Sequence, residues 1–197
     1  ACCPSEHLEI LSMAYYLASQ GGALSHCETW SKSHAHPLGA FLSSQRISDI
    51  LTNITTDHKQ TFLRRWMNKV LEDDYLCYDI TSISSYSKIN EYLKHGYNRD
   101  REKLPQMNLA MLFGQTSCLP VYYQKMPGNI TDVTTLHNLL KTFKAMELKS
   151  INCVMDRGFY SKKNINQILK SRNQFTIAVP VSKKWVQNAI DDIHEEI

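Results

Sequence analysis

Residues 151–161 constrain the fold more than any other stretch of this chain. Ile151 to Met155 is a mostly apolar run, too short for a helix, and it ends in a carboxylate, Asp156. Gly158 follows two residues later, then Phe159, Tyr160 and Ser161, the last suited to open a helix. A buried strand delivers an acid to a sheet edge in this way and then turns away. In open α/β sheets, chemistry lies at the carboxyl ends of the strands. A second run, Tyr75 to Tyr78, ends in Asp79 and continues weakly through Thr81 to Ser85. What the chain can do depends on whether Asp79 and Asp156 meet.

Residues 1–73 read as helical. Leu8, Leu11, Tyr15 and Ala18 recur at helical spacing across 5–20, and Gly21-Gly22 stops the pattern. A short helix over 24–32 and a loop over 33–39 follow. Ser43 or Ser44 caps a helix with Ile47, Ile50, Leu51 and Ile54 on one face. Thr56 or Asp57 opens another, with Phe62, Trp66, Val70 and Leu71 expected inside and Lys59, Arg64, Arg65 and Lys69 outside. Such a basic outer face is either a DNA-backbone contact or a solvated helix face.

From residue 74 to 197 the order is strand, strand, strand, helix, strand, helix, strand, helix. Met107 to Phe113 and Leu119 to Tyr123 alternate as two strands of a hairpin. Residues 129–132 cap a helix over 132–146 that carries Leu136, Leu139, Leu140 and Phe143. A helix over 161–172 places Ile165, Ile168 and Leu169 inward and Lys162, Lys163 and Lys170 outward. Phe175, Ile177, Val179 and Val181 alternate as a last strand, followed by a helix with Trp185, Ala189, Ile190 and Ile193 on one face. The first three strands form an antiparallel meander, and strands separated by helices are parallel. Both conditions hold if the strand ending at Asp156 pairs in parallel with the strand ending at Asp79. Their carboxyl ends then lie side by side, about 5 Å apart. Two ionised carboxylates that close repel unless a cation sits between them. Mg²⁺ or Mn²⁺, hard and oxygen-seeking, suits such a site and in-line phosphoryl transfer.

This topology and acid placement are those of RNase H-like nucleases. Tyr78-Asp79-Ile80-Thr81-Ser82, then Pro127-Gly128-Asn129-Ile130-Thr131-Asp132, then Met155-Asp156-Arg157-Gly158-Phe159-Tyr160-Ser161 resemble the DDE transposases of the insertion-sequence 4 group. Ser44 to Ser48 and the helix of Trp66 also look like that family's N-terminal region. The resemblance implies an α/β fold: an RNase H-like mixed sheet of three antiparallel and two parallel strands, preceded by an α-helical region. It implies that Asp79 and Asp156 are metal-binding catalytic acids using Mg²⁺ or Mn²⁺. It puts Asn129 and Asp132 in a motif near the site, with a plain helix-cap role open for Asp132. The implied reaction is hydrolytic nicking at transposon ends, then attack of a 3′-hydroxyl on target DNA. The implied partners are double-stranded DNA and further copies of the chain.

Basic residues interleaved with aromatics suit phosphate contact and base stacking. Arg99, Arg101 and Lys103, near Tyr92 and Tyr97, fit that pattern, as do Arg157, Lys162 and Lys163 beside Asp156; a solvated loop and helix face is the other reading. The net charge of +3 permits an anionic partner without demanding one.

The family's third acid, a Glu within a Tyr-x-x-Arg-x-x-x-Glu motif, has no counterpart here. The chain starts at Ala1 and stops within a helical pattern, so the expectation is a fragment whose third acid lies beyond Ile197. Asp191, Asp192, Glu195 and Glu196 offer an in-chain alternative. Three other readings stay open: a non-catalytic DNA-binding remnant, another RNase H-like nuclease, and an interaction domain whose aspartates only cap turns. A phosphatase of the Asp-x-Asp class is disfavoured, because Thr81 stands two places after Asp79.

The six cysteines form no C-x-x-C pair, which argues against zinc and for a reducing compartment. No apolar run approaches the ~18 residues of a membrane span, and no signal-peptide pattern opens the chain. The expected location is the cytoplasm, at the nucleoid when bound to DNA. DNA affinity resting on backbone contacts should drop by orders of magnitude from low to moderate salt. Anisotropy titrations across a salt series check this, and a flat response would exclude backbone binding.

Overall fold

The computed structural model describes residues 5–70, 75–96, 103–130, 132–145, 152–170 and 174–195. The chain divides into two compact units, 1–65 and 66–197.

In the first unit, α1 (His7–Gln20) runs into a 3-10 turn (Leu24–His26) and α2 (Cys27–Ser31). Then come α3 (Ser44–Asn53) and the start of α4 (Thr56–Val70), which continues into the second unit. Its core is Met13, Tyr16, Cys27, Trp30, Leu42, Ile47 and Ile50. Polar groups, the buried Ser12 among them, set how these helices meet. Ser12 Oγ donates to Leu8 O and accepts from Leu38 N, and Glu28 accepts from Ser44 N at the start of α3.

Two expected faces are corrected here. Leu8, Leu11 and Tyr15 are exposed, and α1 buries Ser12, Met13 and Tyr16 instead. Apolar residues surround α1, so periodicity alone left several faces open. Tyr16 decides the rotation: it packs edge-on against Trp30, with ring centroids 5.6 Å apart, and its hydroxyl donates to Ala23 O. Leu51 and Phe62, expected inside, are exposed, whereas Ile47, Ile50, Met67 and Val70 are buried.

The second unit is built on five strands: β1 (Tyr75–Ser84), β2 (Gln106–Gly114), β3 (Pro120–Pro127), β4 (Asn152–Met155) and β5 (Gln174–Ile177). Their order in the sheet is β3-β2-β1-β4-β5. β1–β2 and β2–β3 are antiparallel, while β1–β4 and β4–β5 are parallel, as the sequence order required. Helix α5 (Asp132–Ala145) links β3 to β4, α6 (Lys162–Lys170) links β4 to β5, and α7 (Lys184–Glu195) follows. One sheet face carries the core: Leu76, Tyr78 and Ile80 of β1, Ala110 and Leu112 of β2, and Cys153 and Met155 of β4. Leu136, Leu139 and Phe143 of α5 and Ile168 of α6 are buried as well. On the opposite face Cys77, Asp79 and Thr81 are exposed.

Three further expectations fail. The last strand stops at Ile177 rather than near Val181, which is exposed. Its neighbour β4 has four residues, and pairing ends at Met155↔Ile177. Leu169 is exposed on α6, which buries Ile168 as expected and, in place of Leu169, Asn164. Trp185, Ala189, Ile190 and Ile193 of α7 are also exposed. Among the described residues, no helix is long and apolar enough to cross a membrane.

Burial, with a smaller push from Cys77, lifts the Cys153 thiol from an ordinary 9.0 to about 12. A raised acid favours the folded state while it is protonated, so that stability is complete below pH 9.0 and lost as pH rises toward about 12. Cys153→Ala should therefore lose less stability than the parent chain across that window. Urea unfolding at several alkaline pH values measures it.

Candidate acidic site at the sheet edge

The site follows from strand register. Tyr78 pairs with Met155, so one step further along both strands sets Asp79 beside Asp156. Neighbouring strands lie about 5 Å apart, and parallel partners at one level share a face. Asp79 alternates with buried Tyr78 and Ile80 and is exposed. Asp156 keeps an extended backbone, φ −76° and ψ 174°, so the pleat continues through it, and it too is exposed. Both acids therefore stand at the carboxyl end of β4, with Asp79 midway along the longer β1.

Each carboxylate has one oxygen held by a nearby backbone amide. Ile80 N donates to Asp79 Oδ1 at 2.8 Å, and Gly158 N donates to Asp156 Oδ1 at 2.8 Å. Neither acid forms a salt bridge among the described residues; the ion pair there is Arg46–Glu9, in the helical unit. The second oxygen of each is open to solvent-side ligands. Carboxylate oxygen is the donor that Mg²⁺ and Mn²⁺ prefer, so the pair fits part of such a site. Among the described residues, no third His, Cys, Asp or Glu joins them, so Asp191 and Asp192 of α7 are not brought to the pair. Glu196 lies outside the described residues.

The turn after Asp156 is held from within. Phe159 is 1% exposed and packs on Tyr78, with ring centroids 5.0 Å apart. Buried Asn164 donates from Nδ2 to Phe159 O at 2.9 Å, and its backbone N–H donates to Ser161 Oγ at 3.0 Å, capping α6. Tyr78, next to Asp79, and Phe159, three residues after Asp156, thus lock β1 to the turn. The sequence reading missed Asn164. Its signal was a polar residue four places before Ile168 on a helix face otherwise apolar.

The 127–130 turn is held by two buried side chains of β2, also missed. Gln106 Nε2 donates to Gly128 O at 3.1 Å, and Asn108 Nδ2 donates to Ile130 O at 2.8 Å. Ser82 Oγ donates to Asn108 Oδ1 at 3.0 Å, which ties the turn to β1 three residues beyond Asp79. A Cβ at Gly128 would collide with the Gln106 carbonyl oxygen, so only glycine fits there. Asn129 is exposed in this turn, and Asp132 is the first residue of α5.

The basic candidates divide. Arg99 and Arg101 lie outside the described residues, and Lys103 is exposed. Arg157 is exposed next to Asp156, and exposed Lys162 and Lys163 open α6. A further cation, Lys183, lies 5.8 Å from the centre of the Tyr160 ring and so joins this edge. Two lysines in a first turn oppose the helix dipole.

A family model described as the transposase DDE domain matches residues 52–193. No curated protein matches. Among solved structures, a piggyBac transposase synaptic complex with hairpin DNA is 11% identical, with a TM-score of 0.51 over 93% of this chain and 44% of that one. A Drosophila P element transposase strand transfer complex is 14% identical, with a TM-score of 0.43 over 89% of this chain and 41% of that one. A Mos1 transposase paired-end complex with the left transposon end is 11% identical, with a TM-score of 0.38 over 86% of this chain and 58% of that one. The piggyBac likeness is one of fold. The chain spans 38% to 58% of the length of the first structures it matches.

Asn164→Ala removes the donor to Phe159 O and should destabilise the chain by about 1–3 kcal/mol. A lower urea midpoint with an unchanged slope would show it.

Proposed function

This chain belongs to the transposase DDE domain family, and from that membership we propose that it is part of a DNA transposase catalytic core whose Asp79 and Asp156 hold a divalent cation. The observation that carries the reading is the β1–β4 register, which sets the two exposed acids side by side at the end of β4. The insertion-sequence 4 group is the finer assignment, on the segments around Asp79, Asn129 and Asp156.

Asp79 and Asp156 would hold Mg²⁺ or Mn²⁺ through their outward oxygens. When bound, such an ion polarises a phosphoryl oxygen and favours an oxygen nucleophile at neutral pH. The protein's own part is orientation. The amides of Ile80 and Gly158 hold one oxygen of each acid, and packing of Tyr78 on Phe159 keeps β1 and the turn in register. Arg157, Lys162, Lys163 and Lys183 supply positive charge beside the acids, where a DNA backbone would lie. The proposed reaction is nicking at a transposon end, then transfer of the 3′-hydroxyl to target double-stranded DNA. We place it in the cytoplasm, at the nucleoid, acting as a homo-oligomer.

A second reading has one observation in its favour. Among the described residues no third acid joins the pair, which favours DNA binding without cutting.

Calorimetric titration with Mn²⁺ tests the site. The parent chain should bind, and Asp79→Asn and Asp156→Asn should each lose binding. Both substitutions keep an oxygen acceptor for the amides of Ile80 and Gly158, so stability should change by no more than about 0.5 kcal/mol. Undiminished binding in either variant sinks the proposed metal site. Nicking of plasmid DNA by the metal-loaded chain then separates the catalytic reading from the DNA-binding one.

A further inference from the structure

We propose that the loop leaving β1, residues 85–93, is a nucleobase-contacting wedge: Tyr86 stacks on an unpaired base and Ile89 enters the adjoining base step. The inference rests on the transposase reading and adds a contact to it. Tyr86 is 85% exposed and Ile89 is 95% exposed. Among the described residues, no other exposed large apolar residue comes near these values.

The exposure belongs to an ordered loop. Ser87 N donates to Ser85 Oγ, Ile89 N to Ser87 Oγ, and Tyr92 N to Asn90 Oδ1. Leu93 N donates to Asn90 O, and Ser85 N donates to Pro105 O at the neck. Further along, Lys94 and Gln106 exchange two backbone bonds, and Gly128 N donates to Tyr92 O. The loop base is thus fastened to β2 and to the 127–130 turn, and its tip presents Tyr86 and Ile89 outward.

The chemistry around the tip selects the occupant. Lys88 stands between the two apolar residues and Lys94 and His95 are exposed just past the loop, against one exposed acid, Glu91. A protein surface that docks an apolar partner is depleted of lysine at its centre. A nucleic acid needs the opposite: cations for phosphates, an aromatic face for a base, and an aliphatic wedge for a step. The loop also springs from the strand that carries Asp79, whose end at Ser84 lies five residues, roughly 17 Å, beyond that acid, so a base engaged there belongs to the same bound DNA segment as the reacting phosphate.

Competition anisotropy compares a fully paired duplex with the same duplex carrying a few unpaired bases at one end. The parent chain should prefer the frayed DNA about tenfold, a typical effect of one stacked base. The Tyr86→Ala/Ile89→Ala double variant should lose that preference and keep its affinity for the paired duplex. Tyr86→Phe should retain the preference, and Lys88→Ala should weaken both DNAs alike. Both apolar side chains are exposed and the bonds that order the loop come from Ser85, Ser87 and Asn90, so an unchanged melting temperature is expected. A parent chain that binds both DNAs equally, or a double variant that still prefers frayed DNA, overturns the wedge and leaves the transposase reading standing. Failure of the parent chain to bind either DNA overturns both.

Discussion

Parallel pairing of β1 with β4 is the contact on which the rest of the second unit depends. It spans four residue pairs, Tyr75↔Asn152 to Tyr78↔Met155. Side chains alternate along a strand, so slipping this register by one residue would turn Asp156 to the face opposite Asp79. Burial resists the slip, because Cys153 and Met155 of β4 would leave the core while Leu76 and Tyr78 of β1 stayed in it. Hydrophobic burial on one face thereby fixes the spacing of charges on the other. No attractive force between the acids is needed, and none exists.

Polar side chains inside the core determine where the loops go. Gln106, Asn108 and Asn164 are almost fully buried and satisfy backbone carbonyls of turns on either side of the acids. A buried carbonyl without a donor costs a few kcal/mol, so these bonds are specific as well as stabilising. Ser12 plays a similar part in the helical unit, where its hydroxyl receives Leu38 N. In each case an apolar layer supplies the free energy of folding and a few hydrogen bonds choose one backbone path.

The legible parts of this fold were those with a single available reading. The strands that end in or carry the acids, the helix with Leu136, Leu139 and Phe143, and the hairpin of β2 and β3 all had unambiguous spacing. The misread parts had several apolar faces, or a face with nothing to cover it. α1 carries apolar residues all round, and only the contact of Tyr16 with Trp30 settles its rotation. α7 has a regular apolar stripe, yet Trp185, Ile190 and Ile193 are exposed. Periodicity reports that a helix could bury a face; it does not say that a partner is there. The basic loop candidates Arg99 and Arg101 lie outside the described residues, so their part in the site rests on sequence.

The sequence by itself determined the strand order and the level at which the two acids meet, although β1 runs on to Ser84 rather than ending at Asp79. Short apolar runs cut by turns and amphipathic helices leave few topologies open, and the later strands, each reached through a helix, pair in parallel. It also carried the family resemblance, through the segments around Asp79, Asn129 and Asp156. Tertiary structure decided which faces are buried, where β5 ends and which polar residues enter the core. Those outcomes depend on partners distant in sequence: β5 stops because β4 has no more residues to pair, and Asn164 is buried because Phe159 O needs a donor. Local pattern encodes what a segment can do, and packing selects among those options because each buried face and carbonyl must find a partner.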